Sequence, residues 1–249
     1  MNALVNFKPM LLATLQQGDY IGFTFFIGAM AMAAATVFFF FQFSQVDKKW
    51  RDSLLVSGLI TFIAAVHYYY MRDFWATTGQ SPTEFRYIDW ILTVPLMCVE
   101  FYLITKKAGA KIGLLWRLII ASLAMLLFGF LGESTGIYNT PETATMSWIM
   151  GLLSGLAYVY ILYTVMFGEV KDLAAQAGPK VAKAVRILAW FVLVGWAIYP
   201  IGYIAGTTGG LFGAQILSGL PMDIVYNIGD AVNKIGFGLV IFALAVSND

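Results

Sequence analysis

Charge is scarce in this sequence, and so are the residue types that build metal centres and disulfides. Charged residues make up 12% of the 249, against roughly 25% in an ordinary soluble domain. There is one cysteine, Cys98, which excludes an intramolecular disulfide; it lies in an apolar stretch and says nothing of the redox compartment. One thiol and one histidine, His67, do not supply the ligands of an ordinary structural zinc site. The formal net charge is +1, so no basic field calls for nucleic acid and no acidic tail for a basic partner. Internal repeats, low-complexity segments and any stretch with soluble-domain composition are missing as well.

What the sequence has instead is apolar length. Hydrophobic residues make up 60% of it and the mean hydropathy is +0.77, the composition of a polytopic membrane protein. A bilayer core of roughly 30 Å takes about 20 apolar residues per helix. Runs of that size fall near 20–45, 53–75, 85–105, 113–133, 145–167, 184–206 and 216–246. Between them stand "QVDKKWRDS", "TTGQSPTE", "KKAGAK", "GESTGIYNTPET", "GEVKDLAAQAGPKVAK" and "GTTGG", polar and Gly/Pro clusters of the kind that punctuate helices. The expected fold is an all-α bundle of seven transmembrane helices in one domain, residues 19–249, preceded by an extracellular segment, 1–18. Pro9 interrupts the short apolar patch of that segment and no small-residue cleavage site follows, which disfavours a cleaved signal peptide.

Lys and Arg set the orientation. Lys48, Lys49, Arg51, Lys106, Lys107, Lys111, Arg117, Lys171, Lys180, Lys183 and Arg186 gather on the first, third and fifth loops and the adjoining helix ends, whereas the opposite side has Lys8 and Arg72. This predicts an outside N-terminus and a cytoplasmic C-terminus in a multi-pass protein of a bacterial-type inner membrane, with lipid as its surroundings and no soluble partner required.

Two cations remain, Arg86 and Lys234, and both fall inside spans. Ionisable groups at membrane depth are functional candidates. On the third span Arg86, Asp89, Thr93 and Glu100 follow at offsets of 3, 4 and 7, steps that keep all four on one face. The rise of 1.5 Å per residue separates Asp89 from Glu100 by about 16 Å along the axis. On the seventh span Asp230 and Lys234 form an i, i+4 pair, on one face of the helix. A structural ion pair accounts for their neutralisation, but not for Asp89 with Arg86 beside it. Three carboxylates at different depths against two cations fit a proton relay better. An apolar pocket also favours the neutral, nucleophilic form of a lysine, the form that makes a Schiff base.

The stretches "FRYIDWILTVPLMCVEFYLI" (85–104), "GWAIYPIGY" (195–203) and "DAVNKIGFGL" (230–239) closely resemble those of the microbial rhodopsins, proteorhodopsins in particular, and the likeness extends over essentially all seven spans. It implies a light-driven ion transporter, not an enzyme, carrying all-trans retinal on Lys234 as a protonated Schiff base. By the same likeness Asp89 matches the principal counterion and proton acceptor, Asp230 the second counterion, and Glu100 the cytoplasmic proton donor. Asp89, Thr93 and Glu100 together match the motif of outward proton pumps; sodium-pumping relatives carry Asn, Asp and Gln there. His67 matches the family histidine that pairs with the acceptor, although a lone buried histidine elsewhere is usually a packing residue. Trp90, Met125, Gly129, Trp196, Tyr199 and Pro200 match the retinal pocket, and Met97 the position that tunes colour, where an apolar side chain implies green absorption. Gly151 has two readings: relatives that bind a hydroxylated carotenoid antenna have glycine there, and small residues also serve close helix packing. The family forms pentamers or hexamers, which implies a homo-oligomer. Glu84, Glu133 and Glu142 are candidates for proton release. A photosensory relative signalling through a partner would share Lys234 and Asp89, but commonly lacks a carboxylate donor; a retinal-free seven-helix transporter would have no visible absorption.

Overall fold

Apolar runs of about 20 or more residues cross a membrane as helices, because hydrocarbon offers no partner to an unpaired backbone N–H or C=O and a barrel strand needs only about 9–11 residues. The computed structural model describes residues 16–134, 137, 140–206 and 222–247. Its longer helices in chain order are α1 (Tyr20–Gln42), α2 (Lys48–Thr78), α3 (Thr83–Thr105), α4 (Ile112–Glu133), α5 (Ala144–Met166), α6 (Glu169–Gln176), α7 (Pro179–Trp190), α8 (Ile198–Gly206) and α9 (Met222–Val246). Seven segments are long and apolar enough to cross a membrane, the fifth continuing from α5 into the short α6 and the sixth joining α7 to α8. Among the described residues there are no strands.

The spans sit where the sequence predicts them, but their ends differ by a few residues: α1 stops at Gln42 rather than 45, and α2 starts at Lys48 rather than 53. α2 continues to Thr78, three residues past the expected limit, and stops at Gly79. Gly79 has φ +66°, a left-handed backbone that ends helices and favours glycine. The sixth span starts at Pro179 rather than 184; proline at the first helical position forgoes an N–H that has no partner there anyway. Residues 216–221 of the seventh predicted span lie outside the described residues, as do 1–15 of the expected N-terminal segment. At its start α1 is capped by Asp19, which accepts from the Gly22 N–H at 2.8 Å and from Trp75 Nε1 at 3.0 Å. One carboxylate thus joins the start of α1 to the end of α2.

The bundle closes when α9 packs against α1, α2, α7 and α8. Its polarity is reversed relative to a soluble protein: Phe41, Leu152, Leu156 and Tyr163 are exposed on the outer surface, while Arg86, Asp89, Glu100, Asp230 and Lys234 are buried. Lipid covers the outside at no penalty, whereas ionised groups at membrane depth must face one another. These five residues lie on α3 and α9, and those two helices hold the site.

Candidate functional site: a buried lysine between two carboxylates

Lys234 Nζ donates to Asp89 Oδ2 at 2.7 Å and to Asp230 one turn earlier on its own helix. All three side chains are at most 1% exposed. Removing either partner of such a buried pair typically costs about 3–5 kcal/mol, because the remaining charge is left uncompensated. The two carboxylates differ in what else they meet. Asp230 Oδ1 accepts from the Tyr199 hydroxyl at 2.8 Å. Asp89 Oδ1 is buried without a hydrogen-bond partner, and His67 Nδ1 lies 3.8 Å from it. That distance is too long for a hydrogen bond. The ring nitrogen instead donates to the Ile63 carbonyl at 2.8 Å. His67 and Asp89 are therefore adjacent, without a direct hydrogen bond between them. The Thr93 hydroxyl likewise bonds the Asp89 backbone carbonyl, at 2.9 Å, and not its carboxylate.

Arg86 has partners of its own. Its guanidinium donates to Asp223 Oδ1 at 2.7 Å and to Ser81 Oγ at 3.1 Å, and Ser81 donates to the same Asp223 oxygen at 2.8 Å. The cation also lies 4.7 Å from the centre of the Tyr226 ring. Asp223 went unmarked in the sequence because it opens α9, far from the middle of an apolar run, and 137 residues separate it from Arg86. The two cations thus have separate partners: Lys234 takes Asp89 and Asp230, and Arg86 takes Asp223.

Glu100 stands apart from both groups. It is fully buried, accepts from Ser57 Oγ at 2.9 Å, and has no ion pair among the described residues. Of the three release candidates, Glu133 accepts from the Tyr87 hydroxyl at 2.7 Å.

Beside the triad lies a cavity of about 460 Å³ with predominantly apolar walls. Trp90, Met125, Gly129, Trp196, Tyr199 and Pro200, the six residues the sequence assigns to a pocket, all line it. Met97 is buried but is not one of its walls, and neither is Lys234. The link between the lysine and the cavity is Tyr199, a wall residue whose hydroxyl holds Asp230. At Gly129 the fit is tight: a Cβ would stand 3.0 Å from the Tyr87 hydroxyl, so a side chain there has to push that ring aside. Gly151 lines the cavity too, and a Cβ there would meet Tyr203 Cε1 at 2.6 Å.

Sequence reasoning did not anticipate the form of the sixth span. Between α7 and α8 the segment Phe191–Gly195 is π-helical, and the Trp196 N–H reaches back five residues to the Phe191 carbonyl at 3.0 Å. Side chains take up neighbouring carbonyls: Tyr158 OH donates to Val192 and Leu193 O at 3.0 and 2.9 Å, and Asn233 Nδ2 to Gly195 O at 2.9 Å. π-helical turns of this kind often mark functional sites, and this one leads directly into Trp196 of the cavity wall.

The model of the family described as "Bacteriorhodopsin-like protein" matches residues 19–248. With that span, the seven helices and the buried lysine, the chain belongs to the bacteriorhodopsin-like family of microbial rhodopsins. It is 45% identical to green-light absorbing proteorhodopsin of Gamma-proteobacterium EBAC31A08, over 93% of this chain and 89% of the relative. Blue-light absorbing proteorhodopsin of Gamma-proteobacterium Hot 75m4 is 43% identical over 93% and 88%. Among solved structures, blue light-absorbing proteorhodopsin from Med12 superposes with a TM-score of 0.74 at 41% identity, covering 93% of this chain and 100% of that one. Xanthorhodopsin, described as a light-driven ion pump with dual chromophore, superposes with a TM-score of 0.74 at 27% identity, covering 90% and 92%.

The family implies retinal held by a lysine, and this chain's residues fit that group. Lys234 is buried at the centre of the bundle, and next to it is a cavity with apolar and aromatic walls of the size that small-molecule sites show, about 300–1,000 Å³.

Proposed function

We propose that the chain is a light-driven outward proton pump of a bacterial-type inner membrane, with Lys234 as the attachment point of all-trans retinal. The observation that carries this reading is the division of buried acids. Asp89 and Asp230 hold Lys234, while Glu100 lies about 16 Å further along α3 with a serine as its partner. When bound, retinal supplies the absorption of visible light and a change of shape that re-aims the proton on the lysine nitrogen. Asp89 is the acceptor, because its Oδ1 is the carboxylate oxygen of the triad left without a hydrogen bond. Tyr199 keeps Asp230 in place as the second counterion. Glu100, steadied by Ser57, returns a proton from the cytoplasmic side. Arg86 and Asp223 lie beyond Asp89 at the other end of α3, where a released proton leaves. Apolar Met97 and the likeness to a green-absorbing relative support green absorption. A homo-oligomer, pentameric or hexameric, is the expected assembly, and crosslinking in native membranes tests it.

Illuminating cells that make the retinal-loaded protein and following external pH tests the reading. The expected result is acidification that an uncoupler abolishes. No change, or alkalinisation, would overturn it. A purified protein that stays colourless after retinal is added would remove the rhodopsin reading altogether.

Gly151 carries a second, separable reading, a site for a hydroxylated carotenoid antenna. In its favour, the cavity reaches from Gly151 to the lipid-facing Leu152, Leu156 and Val159. Against it, the Tyr203 ring stands where a side chain at position 151 would go, so close packing alone accounts for the glycine. An added carotenoid that sends no energy to retinal in the excitation spectrum removes the antenna.

A further inference from the structure

Glu100 is hydrogen-bonded through one oxygen only. Its Oε1 accepts from Ser57, whereas Oε2 is buried without a hydrogen-bond partner. Leaving a buried acceptor unpaired costs free energy. The pump reading uses Ser57 and gives no part to Ser53. That serine stands one turn earlier on α2, is buried, and faces the same carboxyl. At four residues apart the two serines share one face of the helix. Thr61, four residues further on, continues the line and accepts from the Thr36 hydroxyl at 3.0 Å. A hydroxyl both donates and accepts, and burying one costs more than burying an apolar side chain in its place.

The space beside the pair leads to the same carboxyl. A cavity of about 560 Å³ lies between the start of α2, the end of α3 with the turn that follows, the α6–α7 link and the end of α9. Its walls include Trp50, three residues before Ser53, and Leu103 and Ile104, three and four residues after Glu100. Three or four residues make one helical turn, about 5.4 Å, so the cavity wall stands one turn from both. The volume holds several waters, each of which takes about 30 Å³. Along α3 this cavity lies on the far side of Glu100 from Asp89 and the triad.

We infer that Ser53 is the proton-entry residue of this chain, passing protons from the cavity to Glu100 Oε2. This rests on the reading of Glu100 as the donor. Once Glu100 has given up its proton, its carboxylate takes the Ser53 hydroxyl proton on Oε2. In the same step the serine oxygen takes a proton from a hydrated proton in the cavity. One O–H bond breaks and one forms at the serine, which ends unchanged, and Glu100 is again the neutral acid. Ser57 keeps its contact with Oε1 and holds the carboxyl in place.

Flash spectroscopy on full-length, retinal-loaded protein separates two events. Reprotonation of the lysine nitrogen is read in the visible. Proton uptake from the medium is read by a pH-indicator dye and by the return of the Glu100 carboxylic C=O stretch in the infrared. In Ser53→Ala the first event should keep its wild-type rate, because Glu100 still carries its first proton. Uptake and the infrared return should slow at least about tenfold, since a positioned proton-transfer group typically contributes about 10²–10⁴. Ser53→Cys, close in size but a weak donor, should slow uptake too, which separates the hydroxyl from its packing. Uptake at the wild-type rate in both variants refutes the assignment. Equal slowing of both events refutes it as well, because that is the mark of a general disturbance of the bundle. Glu100→Gln is the reference. If its photocycle matches wild type, the donor reading falls and the role of Ser53 with it; if it is slowed while the Ser53 variants are not, only Ser53 is removed.

Discussion

Two carboxylates share one buried ammonium at the centre of this bundle, and their second oxygens set them apart. Asp230 is bonded through both, to Lys234 and to Tyr199, whereas Asp89 uses one for Lys234 and leaves the other unbonded. A proton delivered to Asp89 therefore displaces no existing hydrogen bond, and one delivered to Asp230 must break the contact with Tyr199. From this asymmetry Asp89→Asn is expected to reduce light-driven acidification to the dark baseline and to leave the pigment coloured, since Asp230 still balances the lysine. Continued pumping by that variant would remove Asp89 from the acceptor role. Glu100→Gln keeps the shape and the Ser57 contact but has no proton to give. A positioned acid is typically worth about 10²–10⁴ in rate, so the late, reprotonating half of the photocycle should slow by about a hundredfold, as read by flash spectroscopy. An unchanged photocycle would show that the proton returns by another route. Both acids were legible in the sequence because helical spacing on one span is enough to align them. The Arg86–Asp223 pair was not, because it joins two helices through a tertiary contact that periodicity along one helix does not encode.

At the scale of the element, the sixth span carries the irregularity that shapes the cavity. A π-helical turn widens the helix by one residue and changes which carbonyls have N–H partners. Here Tyr158 and Asn233, from two neighbouring helices, donate to three of the carbonyls in that segment. The fit is close at Gly195, where a Cβ would lie 2.0 Å from Asn233 Oδ1. Asn233→Ala deletes the donor to the Gly195 carbonyl, and a buried acceptor left without its bond costs about 1–3 kcal/mol. For a chain of this length that corresponds to a fall of about 2–12 °C in the midpoint of thermal bleaching. A midpoint equal to that of wild type would mean that the contact does not hold the segment. Nothing in "FVLVG" announces a π-helix: the residues are apolar and helix-compatible, and the departure is imposed by partners on α5 and α9. Sequence patterning reports which faces are apolar, so it located the span without its internal form.

The whole molecule is ordered by two distributions of charge, one inside the bundle and one at its ends. Apolar length located the seven spans, since each helix must bury its backbone in lipid; capping and turn residues moved the ends of α2 and α7 by a few positions. The orientation rests on the lysines and arginines near the links. The α1–α2, α3–α4 and α6–α7 regions are rich in them, and the α2–α3 link "GQSP" has none. Because short positively charged loops stay on the cytoplasmic side, the α2–α3 link should face outward and α6 inward. The lone cysteine makes this directly measurable. Cys98 is fully buried and should not react, so an introduced thiol reports alone. In intact cells a membrane-impermeant maleimide should label a Gln80→Cys variant, and an Ala175→Cys variant should react only after the membrane is opened; both positions are exposed. The reverse pattern would invert the bundle. Glu100 would then lie toward the outside and the Arg86–Asp223 pair toward the cytoplasm, and the same relay of acids would drive protons inward.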